Sequence, residues 1–285
     1  MGNRSRKYLA IGYLSSAVIF FLLLGLLSCK GGETNMNIVK LYSMKDIPAA
    51  GWKQLSEKRI YFGHQSVGFN ILDGAKEVMQ ANPQIALRIF ETRKAADMTP
   101  GVLGHTTVGK NTDPQSKCDD FAGIVNAVGK SADIAVLKFC YVDFTDKTDV
   151  NKVFDYYQQT ISELKRKYPS TTFVHMTAPL TTIQTGIKAR IKEIIGKPVG
   201  GYADNIKRNQ FNEKLKKTYE GKEPIFDLAG IESTYPDGTR AFFKTTTGAC
   251  PFLVPEYTMD GGHLNAKGQR FIAEQFLIML ASLGS

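Results

Sequence analysis

The chain has 285 residues, 43% of them hydrophobic and 22% charged, with a formal charge of +9, 26 glycines, 11 prolines and only 4 cysteines. This composition supplies a sizeable core and excludes a disordered, collagen-like, coiled-coil or disulfide-dense chain. Three of the excess cations, Arg4, Arg6 and Lys7, sit at the N-terminus, and the rest are dispersed among acids such as Asp119 and Asp120, so the charge describes a solvated surface rather than a nucleic-acid site.

Residues 8–27 form an apolar run without a single charge, directly after Arg4, Arg6 and Lys7, which is the pattern of a secretory signal. The run ends in Leu26-Leu27-Ser28-Cys29, which resembles a bacterial lipobox, where a small residue precedes a cysteine that takes lipid and becomes the new N-terminus. The expected organisation is a lipoprotein signal peptide over 1–28, a flexible tether over 29–45 and one folded domain over 46–285. The protein is then exported and anchored to the bacterial cell envelope membrane by lipid at Cys29. Leu27 is larger than such signals prefer, and an uncleaved membrane anchor is the alternative. Of the remaining cysteines, Cys140 ends an apolar run as a buried thiol, whereas Cys118 and Cys250 lie in polar surroundings where one bridge could form. No C-x-x-C spacing supports zinc.

Short apolar or β-branched runs at 59–62, 85–90, 134–139, 172–176 and 225–228 read as strands. Between them the helical period is clear. Phe121, Ile124, Val125 and Val128 follow it, as do Val150, Val153, Phe154, Tyr157, Ile161 and Leu164, and further helices are expected over 204–219 and 269–280. This alternation predicts an α/β fold with a mostly parallel sheet covered on both faces, whose ligands bind beyond the C-terminal strand ends. The stretches 181–201 and 233–257 read as loops or small insertions over the site.

The first strand runs into Gly63-His64-Gln65-Ser66-Val67-Gly68 and then a helical rhythm, which puts Ser66 at a strand-to-helix turn. There its hydroxyl is either a helix N-cap or a nucleophile whose own N–H serves an oxyanion. Near the other end, Asp260-Gly261-Gly262-His263 sets a carboxylate three residues before an imidazole, in a Gly-rich turn leading into the last helix. A histidine acting as general base needs one nitrogen towards the serine and the other held by a carboxylate, and this turn offers both partners. The plainer reading is a turn whose aspartate caps the next helix.

Together these residues resemble the SGNH, or GDSL-type, hydrolase family, whose serine follows the first strand and whose Asp-x-x-His precedes the final helix. The resemblance covers about residues 59–280. It implies a flavodoxin-like three-layer αβα sandwich with a mostly parallel five-stranded sheet, and a catalytic set of Ser66, His263 and Asp260. Two departures stand out. The family's Gly-Asp-Ser is here Gly63-His64-Gln65-Ser66, and its Gly-x-Asn-Asp aligns by position with Phe139-Cys140-Tyr141-Val142-Asp143, which lacks the asparagine. The oxyanion hole implied by the resemblance therefore combines Ser66 with Gly109, from a loop holding Gly104 and Gly109, and with the Asn111 amide in place of the missing asparagine. His64, Tyr141 and Asp143 are candidate substrate-facing residues, His105 is structural or substrate-facing, and His175 is a core residue. The implied activity is that of a monomeric serine esterase without cofactor or metal, acting on a small-molecule or polysaccharide ester. Two alternatives remain: a non-hydrolytic binding or acyl-transfer relative, and a metal-dependent hydrolase using His64, Asp260 and His263. Aromatic residues Tyr235, Phe242, Phe243, Phe252 and Tyr257 could line a sugar or acyl site or form the core of their own insertion.

Overall fold

The structure, a computed structural model, describes residues 39–283, so the signal segment, Cys29 and the tether through residue 38 lie outside the described residues. From Val39 onward the chain is docked rather than free. The Tyr42 N–H donates to Gln275 Oε1 at 2.9 Å and Gln275 Nε2 donates back to the Tyr42 carbonyl at 2.8 Å, while Val39, Leu41 and Met44 pack on the core. The part of the expected tether from 39 to 45 thus belongs to the domain, because its spaced apolar residues find surface to cover.

Six parallel strands, β1 (Arg59–His64), β2 (Arg88–Glu91), β3 (Val102–Thr107), β4 (Ile134–Leu137), β5 (Thr172–Met176) and β6 (Ile225–Phe226), form one sheet in the order β2-β3-β1-β4-β5-β6. Helices α1 (Ala49–Leu55), α2 (Val67–Ala81), α7 (Leu228–Glu232) and α8 (Ala266–Ser282) share a core with Ile60, Phe62, Val136 and Val174. On the other face, α3 (Pro114–Val128), α4 (Val150–Lys167) and α6 (Tyr202–Tyr219) pack with Tyr61, Ala135, Leu137 and Phe173. The result is a three-layer α/β sandwich. Strands covered on both faces read as unbroken apolar runs, which is why Ile134-Ala-Val-Leu137 and its like were legible.

The sheet has one strand more than the five expected, and the extra one is β3. Gly104 and His105 interrupt its apolar pattern, so the stretch reads as a loop. Gly104 is needed there because a Cβ would stand 2.8 Å from Met98 Sδ, and His105 finds a partner described below. From β1 the chain goes first to β2 at the sheet edge, returns to β3 between β2 and β1, and then crosses to β4 on the opposite side of β1. The β1 end is thus a topological switch point, where a crevice opens between diverging connections.

The two insertions carry structure of their own: α5 (Ile187–Ile194) in the first, and in the second an antiparallel hairpin of β7 (Phe242–Thr245) and β8 (Gly248–Pro251). Tyr257 is fully buried with its hydroxyl donating to the Thr234 carbonyl, and Phe243 stacks on Tyr202 at 4.2 Å, so these aromatics are packing residues. Cys118, Cys140 and Cys250 are all free and buried.

Candidate active site

Ser66 ends the turn after β1 with φ 44° and ψ −100°, a region that non-glycine residues enter at a cost of roughly 1–3 kcal/mol and that collects at functional sites. It stands at the N-cap position of α2, yet its side chain makes no capping hydrogen bond. Its hydroxyl instead meets His263 Nε2. The turn is held from both sides: Gln65 Nε2 donates to the carbonyls of Val108 and Gly109, each at 3.0 Å, and the ring of His64 lies where a Cβ on Gly68 would be, 2.3 Å from its Cγ. That contact accounts for the spacing Gly63-His64-Gln65-Ser66-Val67-Gly68.

His263 Nδ1 is 2.6 Å from Asp260 Oδ2, and Asp260 Oδ1 accepts from the backbone N–H groups of His263 at 2.8 Å and Gly262 at 2.9 Å. The His263 ring and these amides hold the Asp260 carboxyl well below the usual carboxylate range. Asp260 caps no helix; Asn265 does that for α8, accepting from Gly268 N at 3.1 Å. Both residues that had a capping alternative are therefore engaged with one another's partner, and the hydroxyl, imidazole and carboxylate form one continuous chain.

Several unpredicted contacts fix the two halves relative to each other. Asn70, one turn into α2, accepts from the Leu264 N–H at 3.1 Å, so the helix behind Ser66 grips the turn behind His263. Gly74 lets α2 and α8 approach until a Cβ would lie 2.2 Å from the Gln269 carbonyl oxygen. At the root of the first insertion, the Thr182 N–H donates to the Gly261 carbonyl at 2.8 Å.

Tyr141, in the turn after β4, reaches the centre. Its hydroxyl is 3.4 Å from His263 Nε2, the nitrogen that meets Ser66, and its ring occupies the space above Gly262, where a Cβ would fall 2.8 Å from Cζ. Burial raises the phenol's pKa, which keeps it a donor. Behind it, buried Arg208 of α6 donates from Nε to the Tyr141 carbonyl at 2.9 Å and from Nη1 to Thr181 Oγ1 at 2.7 Å.

Other expected site residues stand elsewhere. His64 does not face substrate: it is fully buried beneath α2, its Nε2 3.1 Å from His105 Nδ1, and burial pushes its pKa down to about 2. Asp143 does not either. It is buried in a pair with Lys117 Nζ at 2.6 Å and accepts from Cys140 N at 2.7 Å and Thr112 N at 3.0 Å, which ties the turn after β4 to the loop after β3. Gly109 cannot lend its N–H to an oxyanion, since that group donates to Asp120 Oδ2 at 3.0 Å and the carboxylate is itself clamped by Arg93. Asn111 is exposed on the same loop; its Oδ1 accepts from Lys117 Nζ at 3.0 Å, which leaves the amide NH2 unengaged. The Ser66 N–H also meets no acceptor among the described residues. His175 is a satisfied core residue, between the Tyr157 hydroxyl at 2.7 Å and Glu223 at 3.0 Å. Among the described residues, no three His, Cys, Asp or Glu side chains are gathered as metal ligands are, and His64 is turned to His105 rather than to His263.

No family model matches the sequence, and no curated protein matches it either. Solved structures do. A Streptococcus pneumonia protein described provisionally as a platelet activating factor is similar at a TM-score of 0.43 and 16% identity, over 81% of this chain and 90% of that one. A provisionally assigned GDSL-like lipase from Parabacteroides merdae gives 0.43 and 12%, over 79% and 96%. The GDSL-type family, expected from the motifs, recurs among the solved structures. A peptidoglycan O-acetylesterase gives 0.42 and 16%, over 65% of this chain and 47% of that one, so this chain spans about half its length.

Proposed function

We propose that the protein is a serine esterase of SGNH type. One observation carries the reading: a strained serine that declines its helix cap and joins an imidazole already held by a carboxylate. In this reading Ser66 Oγ attacks the ester carbonyl as His263 Nε2 takes its proton. Asp260 keeps the ring's other N–H pointed away from the reaction and stabilises the imidazolium. The Ser66 N–H and the Tyr141 hydroxyl receive the charge on the tetrahedral oxygen, with the Asn111 amide as a further donor on the facing loop. His263 then returns the proton to the leaving alcohol, and water repeats the sequence to free Ser66. The leader supports export and attachment through Cys29, which favours an acyl ester of envelope carbohydrate or lipid as substrate.

An ester panel from acetyl to long acyl chains, run on the full chain in mild detergent, tests this. Ser66→Ala and His263→Ala should each remove nearly all turnover, Asp260→Asn less, and the Ser66→Ala/His263→Ala double variant should be little worse than either single one, as members of one catalytic unit behave. Multiplying losses would mean the two side chains act apart. Labelling of Ser66 by a serine-reactive probe without ester turnover would point to an acyl-transfer or binding role, and loss of activity on chelation would point to a metal.

A further inference from the structure

The first insertion leaves its neck where the Gln184 N–H bonds to the Gly200 carbonyl, and α5 lies between. On this helix Ile187, Ile191, Ile194 and the following Ile195 fall at i, i+4, i+7 and i+8, a single stripe. The stripe does not face the core. These side chains are 77%, 51%, 84% and 55% exposed, whereas Ala189 on the opposite face is buried. Lys188 and Lys192 flank the stripe on one side and Arg190 on the other, with Lys197 following. Two further exposed apolar side chains, Met259 and Phe69, stand beside Asp260 and in the first turn after Ser66. Exposed hydrophobes thus gather on the segments that frame the triad, and the insertion is rooted on the Asp260–His263 turn through Thr182 and Gly261.

A helix of this kind, apolar on one narrow face, cationic along both borders and rooted in a folded domain, suits the interface of an anionic bilayer, where isoleucines enter the acyl region and lysines reach back to phosphates. No helix among the described residues is long and apolar enough to span a membrane, so this one would lie on the surface. The chain outside the described residues supplies the second argument. The apolar run ends at Leu27 and the docked domain begins at Val39, and about a dozen residues of chain reach at most ~40 Å. At that range even a weak surface contact is made effectively intramolecular. A second copy is the poorer occupant, because two such stripes would bring their cationic borders face to face.

We propose that α5 is an interfacial helix that seats its isoleucine stripe in an anionic phospholipid surface and so turns the mouth of the Ser66–His263 site towards the headgroups. The proposal does not depend on ester hydrolysis. Its test is optical and uses the full chain reconstituted in vesicles of phosphatidylcholine and phosphatidylglycerol with brominated acyl chains. The only native tryptophan, Trp52, is buried and gives a constant background. The tryptophan introduced by Ile194→Trp should be quenched roughly threefold or more beyond one introduced by Glu163→Trp on the exposed face of α4. Adding Lys188→Glu and Arg190→Glu, or using phosphatidylcholine alone, should abolish that difference. Because every sample carries the same leader, the comparison reads the orientation of the domain and not attachment. Equal quenching at the two positions would overturn the proposal, as would shielding that grows with protein density and ignores lipid bromination, which would assign the stripe to a second copy.

Discussion

At the scale of single residues the candidate donors for the proposed oxyanion separate by what each is already doing. Gly109 gives its N–H to Asp120 and the Asn111 carbonyl accepts from Lys117, whereas the Tyr141 hydroxyl lies 3.4 Å from His263 Nε2 with its carbonyl held by Arg208. A donor aimed at charge that exists only in the transition state lowers kcat when removed and leaves KM nearly alone. Tyr141→Phe should therefore cut kcat by roughly 10²-fold with KM little changed, while Asn111→Ala should cost less than about tenfold, the amide lying on an exposed loop. Steady-state kinetics on the best ester of the panel decide it. Loss in Asn111→Ala with Tyr141→Phe unaffected would transfer the role to the amide.

Between elements, the pair Lys117 and Asp143 holds α3, the loop after β3 and the turn after β4 in one arrangement, and both side chains are fully buried. Removing one charge of such a pair strands the other in the interior. Asp143→Asn should accordingly lower stability by about 3–5 kcal/mol, and the further change Lys117→Met should restore much of it, since the amide still accepts from Cys140 while the orphaned ammonium is gone. Denaturant midpoints of the four proteins read the coupling. The same pair explains what the sequence could not reveal. His64 ends β1 and Asp143 lies in the turn after β4, places where polar residues ordinarily look outward, and only the approach of α2 and α3 buries them. Ser66, Asp260 and His263, which the structure brings into contact, could be singled out in the sequence because each lies in a short local motif. The loss of Gly109 was not legible, because the carboxylate that takes its N–H belongs to α3, eleven positions on. Likewise β3 was hidden by Gly104 and His105, the first answered by the nearby Met98 and the second by His64, forty-one positions away.

Over the whole molecule, the buried titratable groups set opposing slopes of stability against pH. His64, His105 and His175 all have pKa values lowered, by burial first, so below about 6.5 the unfolded chain binds protons that the native one refuses, and stability rises with pH up to that point. Glu232 acts in the other direction. It is fully buried, accepts from the Leu180 N–H at 2.8 Å through Oε2 and leaves Oε1 without a partner, and burial pushes its pKa up to about 8 despite the attraction of Lys138 and Arg208. A raised carboxyl pKa stabilises the fold fully below the unfolded value near 4.5, and the contribution is lost as pH rises through the folded value. Between about pH 6.5 and 8 the histidines no longer contribute and the glutamate slope stands alone, at a limit of about 1.4 kcal/mol per pH unit. Lys138, lowered to about 8 by its own burial, then adds stability above that pH as the unfolded lysine alone stays protonated. The expected curve climbs from acid to near neutrality, dips towards pH 8 and turns up again before the buried thiols Cys118 and Cys250, whose pKa values burial raises, oppose it above pH 9. Glu232→Gln keeps an acceptor for Leu180 and cannot ionise, so it should flatten the fall between pH 6.5 and 8, steepen the climb between about pH 4.5 and 6.5, and leave the limb below that as it is. Urea midpoints across that range measure the effect, and a wild-type profile that keeps rising to pH 8 would mean that Glu232 is ionised in the native state, its charge answered by Lys138.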